Sequence, residues 1–169
     1  MKKLAAFSVL TLAWLLLLWM PSARTAANDV DEIRQLLDRW TTAFHARDLN
    51  GIMSIYEPGQ ALVSYDIVAP LQYTGFEAYK KDYQEFLDQF QSPIDIEIRD
   101  LSIVAGDDVA FSHSLNRISG TMKNGRKTDL WLRWSAGYRK SNDKWRIVHL
   151  QVSVPADLGN GKAMLDLKP

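Results

Sequence analysis

The chain has 169 residues, no cysteine, 20 basic and 20 acidic side chains, and a formal net charge of zero. That length supports one domain with a real core and is short for two. No Lys/Arg cluster interleaved with aromatics is present, so nucleic acid is set aside as a partner, and without cysteine the fold must hold by its core alone.

The first stretch, "MKKLAAFSVLTLAWLLLLWMPSARTAA", opens with Lys2 and Lys3, runs apolar and uncharged from Leu4 to Met20, then turns to Pro21 and small residues. This is the layout of a secretory signal peptide, residues 1–27, with cleavage expected after Ala27. The apolar run also sits at the short limit of a membrane span, so an uncleaved N-terminal anchor is the alternative. Either way the domain, residues 28–169, is expected to be exported, to a periplasm or beyond. Losing residues 1–27 takes away Lys2, Lys3 and Arg24 and no acid, leaving 17 basic against 20 acidic side chains, net −3.

Asn28 is positioned to cap a first helix, with Asp29, Asp31 and Glu32 in the turn where the helix dipole favours acids. Val30, Ile33, Leu36, Leu37, Trp40 and Phe44 recur at helical spacing, which buries one face. Asp48 opens a short second helix from Leu49 to about Tyr56, stopped by Pro58-Gly59. Leu62, Val63 and Tyr65 then read as a buried strand that exits into an acid, Asp66, ahead of Pro70. Thr74 and Glu77 form a capping-box pattern for a third helix reaching about Phe90. Its stripe of Phe76, Tyr79, Tyr83, Phe86, Leu87 and Phe90 reads as core.

From Ile94 the period becomes two: Ile94, Ile96 and Ile98 alternate with Asp95, Glu97 and Arg99. Gly106-Asp107-Asp108 turns into a strand from Val109 to about Met122, and Asn124-Gly125 is a strong hairpin signal. A long strand from Lys127 to Lys140 follows, then Ser141-Asn142-Asp143, then Trp145 to Val154, ended by Pro155. Helices first and an antiparallel meander after give an α+β class, with helices packed on one face of a curved sheet.

Element order together with "RWTTAFHARDLNGIMSIY", "YDIVAPLQYTG" and "DLWLRWSAGYRKSNDKWRIVHLQVSVP" resembles the NTF2-like superfamily, in particular its SnoaL-like and ketosteroid-isomerase-related branch. The resemblance spans Asp29 to Pro155. It implies a cone in which about three helices close against a strongly bent antiparallel sheet around an internal pocket. It also implies roles by position. Asp66, nine positions before Gly75, falls where the isomerases keep an aspartate general base. The position of their oxyanion tyrosine is Trp40 here, that of their protonated aspartic acid falls near Trp131, and Tyr56 matches a supporting tyrosine. An indole supplies one N–H and no acidic O–H, which counts against steroid isomerisation itself.

With Trp131 facing the pocket, strand alternation adds Arg133 and Ser135, and the match places His149 and Gln151 on the pocket face of the last strand. Phe44 joins them from the first helix and His113 from the middle strand. Asp66 and His149 are then the candidate bases and Arg133 a polar anchor, with Trp40, Phe44, Tyr56, His113, Trp131, Ser135 and Gln151 as ligand-binding candidates. Other readings stay open: Asp66 capping its own loop, an Arg133–Asp66 ion pair that would lower the acid's pKa and spoil it as a base, and His149 as a satisfied core histidine. With three histidines and no cysteine, no metal is assigned, and no cofactor is expected. Two functions compete. One is a cofactor-independent proton-transfer enzyme of isomerase, cyclase or hydratase type, acting on a small apolar molecule with a carbonyl. The other is a non-catalytic ligand carrier or scaffold, homodimeric through the outer face of the sheet.

Overall fold

The computed structural model describes residues 26–169. The signal-peptide reading falls almost wholly outside them.

Helix α1, Ala26–Ala46, buries Ile33, Leu36, Leu37, Trp40, Ala43 and Phe44, the expected single face. It begins ahead of Asn28, so that residue is not its cap. Helix α2, Leu49–Met53, is shorter than the sequence pattern implies. The residues after it leave helical geometry to pair with the sheet, where Ile147 N–H donates to Ile55 O at 2.8 Å and Glu57 N–H to Ile147 O at 2.9 Å. Strand β1, Val63–Tyr65, and strand β2, Tyr73–Thr74, form an antiparallel pair across the Asp66 loop. Helix α3, Phe76–Asp88, follows. Gly75 at φ 89° occupies its N-cap and no side chain caps the helix, so the Thr74–Glu77 capping box does not form. The Thr74 hydroxyl accepts from Gln72 Nε2 instead. A Cβ on Gly75 would stand 2.9 Å from the Gln60 amide oxygen, and the left-handed φ independently favours glycine.

Strands β3 (Asp95–Ala105), β4 (Val109–Thr121), β5 (Lys127–Ser141) and β6 (Lys144–Ser153) form the expected meander. The full sheet runs β2-β1-β6-β5-β4-β3, antiparallel throughout except for the β1–β6 pair. A short hairpin, β7 (Ala156–Asp157) with β8 (Lys162–Ala163), closes the chain. The three helices pack on the inner face of this curled sheet, α1 against β3 and α2, α3 against α2 and β2. This is the α+β class that the element order implied, in the cone arrangement that the resemblance implied.

Two irregularities set which side chains face inward. In β3 the register shifts between Arg99 and Ser102, with Asp100 at φ 54°. In β6 the pairing steps from Gly137↔His149 to Tyr138↔Ile147, so Val148 is an extra residue. Such a bulge reverses the in–out phase of everything beyond it. Trp145 and Ile147 before the bulge, and Leu150 and Val152 after it, are buried.

Candidate functional site

A cavity of about 320 Å³ opens between α1, α3, the loop after β1 and the inner face of β4–β6, within the size range of small-molecule sites. Trp40 and Phe44 of α1 line it, and Leu132 and Trp134 of β5 form its floor with Asn116 of β4. The rings run on in edge and tilted contact: Trp134 to Trp40 at 4.8 Å between centroids, Trp40 to Phe44 at 4.7 Å, Phe44 to Tyr83 at 5.6 Å and Tyr83 to Tyr79 at 4.7 Å. Trp40 and Trp134 are 1% and 5% exposed, and neither indole N–H has a hydrogen-bond partner. A buried donor without an acceptor is costly, and both indoles stand in the cavity wall in that state.

Asp66 enters this cavity because β1 alternates: Ser64 is fully buried toward the inside, and Asp66, two residues on, leaves the strand on the same side. Its Oδ2 accepts from the Tyr79 hydroxyl at 2.9 Å and its Oδ1 from the Ile67 amide at 2.7 Å. Burial pushes the Asp66 carboxyl up from its ordinary value, opposed by these two donors. Behind Tyr79 stand Tyr83, with hydroxyls 3.4 Å apart, and Tyr56, 2.6 Å from the Tyr83 oxygen. A phenol has one proton to give. Tyr79 gives its proton to Asp66 at the shorter contact, and Tyr83 and Tyr56 continue the row of phenols behind it. Burial pushes all three phenols well above their ordinary value, so they stay protonated donors.

At the mouth, the Tyr73 hydroxyl donates to Asp82 Oδ1 at 2.7 Å and also lies 2.8 Å from Ala69 O, tying the 66–70 loop to α3. Ile67 and Val68 of that loop are 42% and 50% exposed. Tyr79→Phe removes a donor that favours the charged form of Asp66, so the carboxyl is expected to move further up. The inflection of any Asp66-dependent pH profile would shift to higher pH; an unchanged inflection would show that Tyr79 does not act on Asp66.

Of the candidates read from the sequence, Asp66, Trp40 and Phe44 meet in this cavity, with Tyr56 one ring behind its wall. The strand candidates do not. On β5 the buried phase is Leu132, Trp134, Ala136 and Tyr138, while Arg133 and Ser135 are exposed on the outer face and Trp131 lies there under the Arg99 guanidinium, 5.5 Å from its ring centroid. The reason is energetic: burying Leu132, Trp134 and Tyr138 removes far more apolar surface from water than burying Arg133 and Ser135. The same outer face carries His113, exposed opposite Ser135 and Ser102, and exposed Gln151. His149 was assigned to the pocket side, but the Val148 bulge turns it out. Its Nδ1 lies 3.0 Å from Val63 O and its ring packs edge-on to Tyr65. Arg133 therefore forms no pair with Asp66. Asp129, the alternative acid, takes Arg117 instead at 2.7 and 3.0 Å, which lowers its carboxyl to about 2.

Residues the sequence reading assigned to packing, or left aside, complete the site: Tyr79, Tyr83, Asn116 and Trp134. The available signal was the pair Tyr79/Tyr83, four residues apart on a buried stripe, since buried phenols need hydroxyl partners.

A model of the SnoaL-like domain matches residues 33–157. Among solved structures, an NTF2-like protein of unknown function from Pseudomonas putida KT2440 is similar at 32% identity and a TM-score of 0.74, covering 82% of this chain and 95% of that one. An NTF2-like superfamily protein from Salmonella enterica shares the fold at 18% identity and a TM-score of 0.68, over 79% of this chain and 96% of that one. A ketosteroid isomerase-like protein from Erwinia carotovora atroseptica shares it at 20% identity and 0.61, over 73% and 93%. No curated protein matches the sequence.

Proposed function

This chain belongs to the SnoaL-like family of the NTF2-like superfamily, and from that premise we propose that it is an exported protein whose cavity binds a small, mostly apolar carbonyl compound and moves a proton with Asp66. One observation carries the reading: a carboxylate stands in an aromatic cavity, raised by burial and held by Tyr79 and Ile67. A carboxylate raised above its ordinary value is a stronger base than a free one. The substrate oxygen is received by the Trp40 and Trp134 indole N–H groups, which otherwise lack acceptors. Asp66 takes a proton from the carbon beside the carbonyl, and charge that develops on the oxygen meets those donors. The same proton is then returned to that carbon or to a neighbouring one, so no net oxidation or reduction occurs.

Two further parts of the proposal concern context. Export is supported by the signal-peptide layout of residues 1–27. Pairing with a second copy through the outer sheet face is supported by Val104, Val109 and Phe111, 52%, 59% and 52% exposed on that face. A second reading, a carrier that holds the same ligand without chemistry, is favoured by indoles standing where a stronger donor would be expected; weak donors stabilise an oxyanion less.

The test is exchange of α-protons. The protein is incubated with a panel of small aryl and cyclic ketones in D2O, and deuterium incorporation is followed by NMR across pH. At least one ketone is expected to exchange faster than in buffer, with a rate that rises as Asp66 ionises. Exchange of no ketone, or undiminished exchange in Asp66→Asn, would sink the enzymatic reading; binding without exchange would leave the carrier.

A further inference from the structure

The titratable side chains that line the cavity are acids and phenols only. Asp66 stands on the wall, and Asp82 and Glu85 of α3 stand at the mouth; among the described residues, no Lys, Arg or His lines the cavity. Burial raises the Asp82 carboxyl, and the nearby charges of Asp66 and Glu85 add to the effect. Glu85 lies 3.8 Å from Lys81, an exposed pair on α3. Between the mouth and the floor runs the aromatic wall, continued outward from Tyr79 to Tyr73 with ring centroids 5.5 Å apart. Aromatic faces are electronegative and attract organic cations, most strongly where water is excluded. A second, independent feature lies at the floor: the two buried indole N–H groups of Trp40 and Trp134, both without partners. They call for an acceptor atom, not a second positive charge.

We infer that the ligand of this cavity carries two chemical features: an ammonium group that lies at the mouth against Asp82, Glu85 and the tyrosine faces, and an acceptor oxygen that reaches the Trp40 and Trp134 indoles. This rests on the proposed site and narrows its substrate class from apolar carbonyl compounds to cationic amino-ketones. An anionic ligand is disfavoured, because its carboxylate would meet two acids and no base. A neutral ligand is tolerated but leaves the crowded acids uncompensated. The ammonium also makes the proton between it and the carbonyl easier to remove, which suits a single carboxylate base assisted only by indole donors.

Three phenyl ketones that differ only in their head group test this. 3-(Dimethylamino)propiophenone is cationic at pH 7, 4-methyl-1-phenylpentan-1-one is its neutral isostere, and 4-oxo-4-phenylbutanoate is the anion. Binding to the whole domain is followed by the indole N–H cross-peaks of Trp40 and Trp134 in 15N-labelled protein, assigned with Trp40→Phe and Trp134→Phe. The cation is expected to bind about tenfold more tightly than the neutral ketone, as one desolvated cation–aromatic contact provides, and the anion more weakly than either. Asp82→Asn with Glu85→Gln keeps the acceptor for Tyr73 and is expected to erase most of that preference. N,N-dimethyl-3-phenylpropylamine, which lacks the oxygen, is expected to bind with little movement of the two indole peaks. Equal binding of cation and neutral isostere overturns the inference, as does a cation preference that survives the double substitution, or no binding by any of the four at millimolar concentration. The underlying reading fails separately. If the neutral ketone binds as well as the cation and exchanges its α-protons, the function stands and the cation assignment falls. If the cation is preferred and nothing exchanges, the reverse holds.

Discussion

Asp66→Asn is expected to lower ketone α-proton exchange by about 10²- to 10⁴-fold, the range that a positioned general base contributes, while the ketone still binds. Asparagine has the same shape, and its side-chain oxygen still accepts from Tyr79 or from Ile67, the two donors now on the carboxylate. One of them loses its acceptor, which costs about 1 kcal/mol. A second effect runs the other way. The folded-state pKa of Asp66 is raised, so the folded protein holds a proton that the unfolded chain has released. Stability therefore falls as pH rises from the ordinary carboxylate value to the raised one. Removing the charge relieves that loss at pH 7 and changes nothing well below the ordinary value, where the acid is protonated in both states. Melting curves at pH 7 and at acid pH are expected to show the variant gaining relative to the wild type as pH rises. Asp66→Ala supplies a further check: small carboxylic acids added to the solution are expected to restore part of the exchange, because the space vacated faces the cavity. Exchange at the wild-type rate in both variants would remove Asp66 from the chemistry, and a folded Asp66→Ala that acetate does not rescue would point to a positioning role.

The two kinds of periodicity differ in how far they reach. The helical stripe of α1 has one apolar side, so Ile33, Leu37, Trp40 and Phe44 were legible as core and wall before any coordinates. A strand repeat of two offers two phases, and where both are apolar the choice is made by the rest of the fold. On β5, Leu130, Leu132 and Trp134 compete with Trp131, and the family resemblance drew attention to the wrong one. On β6 the phase changes midway, and a single extra residue at Val148 leaves no mark in the pattern "KWRIVHLQVS". Asp66, whose position rests on the resemblance and not on strand phase, lies in the cavity, whereas Arg133, Ser135, His149 and Gln151, which depend on strand phase, lie outside it. The tyrosine row was hidden for another reason. Tyr79 and Tyr83 are core by their rings and functional candidates by their oxygens, and a pattern that counts apolar residues registers only the rings.

Lys140→Met is expected to cost about 3 kcal/mol, the lower end for breaking a buried ion pair from one side. Lys140 of β5 reaches Asp29 in the first turn of α1, with side-chain exposures of 11% and 6%, and Trp145 Nε1 donates to the same Asp29 oxygen at 3.1 Å. The ammonium also lies 5.2 Å from the Trp145 ring centroid. Methionine keeps the packing of the alkyl stem and removes only the charge, leaving the Asp29 carboxylate buried without that ammonium. For a domain of this length the loss corresponds to a melting temperature lower by about 6–12 °C. Asp29→Leu with Lys140→Met removes both charges and is expected to recover only part of the loss, since replacing a whole buried pair by apolar groups is often neutral but the Trp145 indole loses its acceptor, at about 1 kcal/mol. A loss below about 1 kcal/mol in the single variant would show that solvent screens the pair as it does at a surface. Because this pair pins the start of α1 to the far end of the β5–β6 hairpin, outside the cavity that holds Asp66, Lys140→Met protein that is still folded is expected to exchange ketone protons at the wild-type rate. A parallel loss of exchange and stability would mean that the seating of α1, and with it Trp40 and Phe44, depends on this distant contact.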